Sequence, residues 1–278
     1  MQLTFLGTAA YEGFPNPFCD GGNCRETRQD FPDYSRLTSA VLVDDDLLID
    51  FGPNIMAGAH KSRVSLFNVK TLLITHSHSD HLYPPNFGFR KKPYNASYES
   101  LPVMTVLSNS TVLDKITATN YFDPAKVLTR EALPFEKIES NGYEITPLPA
   151  VHKVEEGEQC LIYLIEKNGR SFLYASDTGP LEASTLERLS SRIRKPLNFI
   201  ALDATMGFVE VNEFPFHHSS AEVIETICRM RSLGILNTET KVFAHHFSHS
   251  SNHPHRKLEE LYSEHGIGVT FDGLKISV

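Results

Sequence analysis

The chain has 278 residues, enough for one large domain with a full core or for two small ones. Hydrophobic residues make up 41% and charged residues 22%, which excludes the disordered and fibrous classes. A formal net charge of -8 argues against nucleic acid as the default partner, because phosphate backbones are held mainly by Lys and Arg.

The opening stretch MQLTFLGTAAYEGF has neither a basic n-region nor a long apolar h-region, and no apolar run approaches bilayer length. A cytoplasmic location with no membrane contact is expected, with the four cysteines reduced. QLTFLG reads as a strand. SAVLV and LLIDFG flank Asp44-Asp45-Asp46 and predict a hairpin. KTLLITH is a short apolar strand that runs into THSHSDHL. The stretch from Pro84 to Pro102 is irregular, with Phe87, Phe89, Tyr94 and Tyr98 beside Arg90, Lys91 and Lys92. It reads either as a functional loop over a site or as a plain surface excursion.

VMTVLS is a further strand, and STVLDKITATNYF reads as a helix. CLIYLIE and SFLYASD flank Lys167-Asn168-Gly169-Arg170, and Asn-Gly between apolar runs is a strong hairpin signal. LEASTLERLSSRI is a predicted helix and NFIALDAT a strand. SAEVIETICRMRSLG places Val223, Ile224, Ile227 and Cys228 on one helical face. KVFAHHF is a strand, and HPHRKLEELYSEHG a helix stopped by Gly266. VTFDGLKISV reads as a final hairpin around Asp272-Gly273. No repeat or low-complexity linker divides the chain, so a single domain over residues 1–278 is expected. The two groups of strands, each ending near helices, predict an α+β sandwich of two sheets with helices outside.

His76, His78, Asp80 and His81 fall within six residues after an apolar strand. Imidazole nitrogen and carboxylate oxygen are natural ligands of Zn²⁺ and similar ions. In an extended segment His76 and His78 point the same way and can share an ion. Asp80 and His81 follow where the chain is expected to turn into a helix, and can serve a second ion. Burying four such groups without partners is expensive, so packing alone does not explain them. The remaining ligands must come from distant strand ends. Asp50, His152, Asp177, His245 and His246 each sit at the end of an apolar run.

TFLGTAA, LLIDFG, THSHSDHL, LPAVHK, YASDTG and AHHFSH, in that order, resemble the metallo-β-lactamase superfamily. The resemblance implies an αββα sandwich with two divalent ions, Zn²⁺, Mn²⁺ or Fe²⁺, at one edge of the β-layers. By position, His76, His78 and His152 match the ligands of one ion. Asp80, His81 and His246 match those of the other, and Asp177 the bridging carboxylate. Asp50 matches the carboxylate that orients a ligand histidine. His245 is the alternative to His246. Two such ions activate a bridging water in this family, and Asp80 could help orient it as a catalytic residue.

Within the superfamily the chain is similar to the phosphoribosyl cyclic phosphodiesterase group of phosphonate breakdown. Gly7-Thr8-Ala9-Ala10, FCDGGNC, His217-His218-Ser219-Ser220 and His246-Phe247-Ser248-His249 carry that similarity. The group's structural zinc is held by Cys-x-Cys-x-x-Cys and a histidine. Here Cys19, Cys24 and His249 match, but Gly21 takes the middle position. Four ligands are normal for structural zinc, so a vestigial site without metal is expected. His217 or His218 matches an extra catalytic histidine, and His218 fits the spacing better as proton donor to the leaving alcohol. Ser219 or Ser220 could equally be a helix cap there. Arg90 and Lys91 are candidate contacts for an anionic substrate.

The expected activity is hydrolysis of a small, perhaps cyclic, phosphodiester. Competing readings are an RNA-processing nuclease, a thioester or lactam hydrolase, and a non-catalytic metal-binding module. A homo-oligomer is compatible with the sequence.

Overall fold

The computed structural model describes residues 1–30 and 34–278. Among the described residues, fourteen strands form two sheets of seven. The first contains β1 (Gln2–Gly7), β2 (Ala40–Val43), β3 (Leu47–Ile49), β4 (Thr71–Leu73), β5 (Met104–Ser108) and β6 (Val127–Glu131). The second contains β7 (Ile138–Ser140), β8 (Tyr143–Pro149), β9 (Leu161–Lys167), β10 (Arg170–Ala175), β11 (Phe199–Asp203), β12 (Lys241–His245) and β13 (Gly268–Val269). The last strand, β14 (Lys275–Ser277), returns to the first sheet. The sheet orders are β14-β1-β2-β3-β4-β5-β6 and β13-β12-β11-β10-β9-β8-β7. Each sheet is antiparallel over half its width and parallel over the rest.

Alternation of side chains along the strands builds three apolar layers. Leu3, Phe5, Val41 and Leu73 of the first sheet meet Ile145, Tyr163, Phe172 and Phe199 of the second. On the outer face of the first sheet, Leu6, Leu42, Leu72 and Val106 pack with α2 (Ile55–Ser62) and α3 (Ser110–Thr117). On the outer face of the second, Ile162, Leu164, Leu173 and Ile200 cover α4 (Ala183–Arg192), α5 (Ser220–Ser232) and α6 (His255–Ser263). The four layers are the αββα sandwich that the strand grouping predicts. Two of the three anticipated hairpins are present: β2 pairs antiparallel with β3, and β9 with β10. Asn168 and Gly169 both take positive φ, 52° and 71°, as the tight turn requires. No helix is long and apolar enough to cross a membrane among the described residues.

Three readings of the elements need correction. The tail is not a hairpin, because β13 and β14 join different sheets. Asp272, in the turn, is buried and accepts hydrogen bonds from Thr8 Oγ1 at 2.8 Å and Leu37 N at 2.7 Å, which anchors the crossing. The helix after β5 stops at Thr117, well short of Phe122. On α5 the buried face is Val223, Thr226, Ile227 and Met230, whereas Cys228 is exposed. Ser219 does cap that helix: its hydroxyl accepts from the Glu222 amide while the Glu222 carboxylate accepts from the Ser219 amide.

Candidate metal centre

The parallel halves of both sheets send their strand ends to one edge of the sandwich. Leu161 N donates to Thr75 O at 2.9 Å and ties the segment after β4 to the second sheet. Beyond it, His81 N and Leu82 N both donate to His78 O, so Asp80 and His81 sit in a tight turn rather than the expected helix. Glu158 holds the turn by accepting from Ser77 N and Oγ. Gly52 permits the packing: a Cβ there would lie 1.7 Å from the Asp80 carbonyl oxygen.

Two sets of donor atoms converge at this edge. His76 Nε2 and His152 Nε2 lie 3.0 and 3.2 Å from His78 Nδ1. Four ligands at about 2.0–2.1 Å around tetrahedral zinc lie about 3.3 Å apart, close to these separations. In the second set, His81 Nε2 is 3.1 Å from Asp80 Oδ2 and 2.9 Å from Asp177 Oδ2. His246 Nε2 is 3.0 Å from Asp177 Oδ2 and 3.8 Å from Asp80 Oδ2. Asp177 Oδ1 turns to the first set, 3.9 Å from His152 Nε2. One carboxylate thus faces both.

The donor chemistry fits cations. His81 Nε2 and His246 Nε2 are buried and close to carboxylate oxygens, yet neither makes an aligned hydrogen bond. Such nitrogens are costly unless something else satisfies them. Their opposite ring nitrogens are committed. His81 Nδ1 donates to Asp50 Oδ2 at 2.8 Å. His246 Nδ1 donates to Thr205 Oγ1 at 2.8 Å, and that hydroxyl lies 3.0 Å from Asp203 Oδ2. His76 Nδ1 pairs with Thr75 Oγ1 at 2.9 Å, and His152 Nδ1 with Phe216 O at 3.3 Å. These partners set the tautomers and leave Nε2 for an ion.

The charge balance agrees. Burial pushes the Asp177 carboxyl up, but His246 and His81 outweigh it and hold it well below the usual range. Asp80 follows the same pattern, burial opposed by His81. Burial opposes the charged form of His246, yet Asp177 lifts it to about 10. His81 is likewise raised well above its ordinary value, against burial, by Asp177, Asp80 and Asp50. His76, fully buried beside His81, is pushed well down by that burial. Ionised Asp80 and Asp177 therefore favour positive charge beside them, whether from protonated His81 and His246 or from a bound cation.

The sequence-predicted residues divide into those brought together and those dispersed. His76, His78, Asp80, His81, His152, Asp177 and His246 form the two sets, with Asp50 behind His81. His245 points between the sheets, its Nδ1 3.0 Å from Thr270 Oγ1 and its ring against Phe5 and Tyr174. Asp50, Asp177 and His246 all take positive φ, at 63°, 50° and 63°. Each leaves its strand in the left-handed region, which re-aims the side chain at the edge.

His218 must be corrected. Its ring is fully buried, with Nδ1 2.7 Å from Thr178 O and Nε2 3.0 Å from Thr226 Oγ1, so neither nitrogen faces the site. His217 does. It lines a cavity of about 350 Å³ with His78, Asp80, Asp177, Thr205 and His246. Its Nδ1 donates to Asp203 Oδ2 at 2.9 Å. Against burial, Asp203 raises its pKa. Asp203 is not among the residues expected from sequence, although it closes the run FIALD as Asp50 closes LLID.

Arg90 and Lys91 also need correction as substrate contacts. Neither lines this cavity: Arg90 Nη2 donates to Pro102 O and Lys91 Nζ to Asn120 O. Cys19, Cys24 and His249 do gather, with Cys24 Sγ 3.4 Å from His249 Nδ1. His249 Nε2 pairs with Asn16 Nδ2 at 3.1 Å. The cluster offers three donors where structural zinc takes four.

A family model described as the beta-lactamase superfamily domain matches residues 46–246. The chain belongs to that family and is a hydrolase of the metallo-β-lactamase fold. Among solved structures, it is similar to a diphosphatase from the PhnP family, at 21% identity and TM-score 0.75, covering 100% of this chain and 97% of that one. Zn²⁺-bound PqqB from Methylobacterium extorquens matches at 18% identity and TM-score 0.76, over 100% of both chains. The short form of human tRNase Z matches at 17% identity and TM-score 0.64, over 100% of this chain and 99% of that one. At these identities the neighbours establish the shared fold. No curated protein sequence matches.

Proposed function

We propose that this protein is a metal-dependent phosphodiesterase acting on a small diester. The observation that carries the reading is the single carboxylate, Asp177, facing two converging sets of donors. His76, His78 and His152 would hold one divalent ion and Asp80, His81 and His246 the other, with Asp177 serving both. Zn²⁺, Mn²⁺ and Fe²⁺ all suit such ligands. A pair of such ions supplies Lewis acidity and a water of lowered pKa.

The protein's own groups do the rest. Asp50 and Asp203 fix the ring orientations of His81 and His217. Asp203 occupies Nδ1 of His217, so Nε2 is the nitrogen left to give a proton to the departing alkoxide. Asp80, held ionised at the cavity wall, is placed to accept a hydrogen bond from the attacking water.

The rim favours a small substrate over RNA. Ala10, Tyr11, Glu12, Ser79 and Ser248 complete the lining, and none of the described lining residues is Lys or Arg. A polyanionic strand needs several such cations. A diester with one negative charge needs only what the ions and His217 provide.

Assays with Mn²⁺ or Zn²⁺ on bis(p-nitrophenyl) phosphate, a thioester and a lactam test the reading. Diester hydrolysis is expected, abolished in Asp80→Ala and in His78→Ala while circular dichroism stays native. Faster turnover of the thioester or lactam, or near-full diester activity in either variant, sinks it.

A further inference from the structure

The stretch from Pro84 to Pro102, which the sequence reads either as a loop over a site or as a plain surface excursion, does not line the metal site but covers a different place. It forms three short 3₁₀ turns, Pro84–Arg90, Lys92–Tyr94 and Tyr98–Ser100. With α2, β3 and the start of β5 it encloses a second cavity of about 220 Å³ outside the first sheet. The wall is apolar, built by Leu48, Phe51, Met56, Phe67, Leu101 and Met104. Three apolar residues of this wall stay open to solvent: Met56 at 41%, Phe67 at 36% and Phe89 at 50%.

One charge is set into that wall. Arg90 is 7% exposed, whereas its neighbours Lys91 and Lys92 lie nearer solvent. Its Nη2 donates to Pro102 O at 2.5 Å, and its Nε is buried without any partner. Among the described residues no carboxylate forms an ion pair with it. Burial alone lowers its pKa to about 10, which leaves it charged at neutral pH. Buried charges are normally paired, since isolated ones are costly to desolvate. A chain free to choose Leu or Met here carries an unpaired guanidinium beside an open apolar cavity instead.

We infer that this cavity is a second binding site, for a free aliphatic monocarboxylate of medium chain length. Its tail fills the apolar wall, and its carboxylate pairs with Arg90. Guanidinium matches carboxylate geometry in a two-pronged hydrogen bond. The volume is below the roughly 300–1,000 Å³ of a drug-sized site, so the tail is short. A single cation matches a single negative charge. The site also abuts the metal centre. Phe51 lines the cavity, and its amide donates to His81 O at 2.7 Å. Asn86, also in the wall, donates to Phe51 O at 3.2 Å and Gly52 O at 2.8 Å.

Titration calorimetry and thermal unfolding of the intact protein with octanoate, octanol and octylamine test this. Octanoate should bind saturably and raise the melting temperature, octanol at least tenfold more weakly, and octylamine not at all. Arg90→Met should weaken octanoate at least tenfold. Met56→Glu, at an exposed position of α2, should do the same by repulsion, so the test survives misfolding of the first variant. Absence of octanoate binding, equal binding of octanoate and octanol, or octanoate binding unchanged in a folded variant overturns the inference.

Discussion

Asp50→Asn isolates the support behind one half of the metal centre. Asp50 is fully buried, with Oδ2 accepting from His81 Nδ1 at 2.8 Å and Oδ1 accepting from Thr75 N and Oγ1 at 2.9 Å each. Asparagine has the same shape and tolerates the positive φ of 63°, so the backbone has no reason to move. It has only one oxygen, however. With that oxygen toward Thr75, the amide NH₂ faces the His81 Nδ1–H, donor against donor. His81 must then carry its proton on Nε2, the nitrogen aimed at Asp80 and Asp177. A hydrogen bond to a charged group is worth about 1.5–3 kcal/mol. Loss of such an orienting partner weakens metal binding about 10–100-fold, or about 1.4–2.7 kcal/mol. Chelator competition should therefore show one of two bound ions loosened by that factor, with the other close to wild type and the fold intact. Affinity within twofold of wild type at both positions would refute the reasoning.

Other tests reach different parts of the molecule. His217→Asn should lower kcat about 10²–10⁴-fold for a diester with a poor alkoxide leaving group, and far less for p-nitrophenolate, which leaves without protonation; equal losses for both would remove the proton-donor role. His218→Asn should act on stability instead, costing about 1–3 kcal/mol in denaturant unfolding through its buried contacts with Thr178 and Thr226. Gly52→Ala should displace the Asp80 turn and lower metal occupancy, measured by elemental analysis, since its Cβ meets the Asp80 carbonyl at 1.7 Å. His255, buried against the Arg36 guanidinium, is pushed down to about 3 by burial first and by that cation second. Its ordinary value is near 6.5, so the folded state holds it neutral. The stability it contributes is complete above about pH 6.5 and is lost as pH falls toward 3, by up to about 1.4 kcal/mol per unit. Replacing it with Gln should flatten the acid limb of stability against pH, and an unchanged limb would count against this account.

Local patterns made much of this protein readable from its residues. THSHSDHL announces a metal site because four donors in six residues have no cheap structural use. Asn168-Gly169 announces a hairpin because its turn needs two positive φ angles. Apolar runs mark the strands, and their ends mark Asp50, Asp177 and His246. Between adjacent candidates, only the tertiary structure chose. His245 and His246 are chemically identical neighbours, and a change of φ at the end of β12 decides which one faces the edge; between His217 and His218, in the loop before α5, the partners of each ring decide it. The tail carries a sound turn signal, yet its two strands go to different sheets because Asp272 is held by Thr8 and Leu37. Arg90 carries an anion-seeking charge in any context, but burial beneath its own loop gives that charge an apolar cavity of its own. Residue type is written in the chain, whereas direction, burial and company depend on contacts between segments far apart in it.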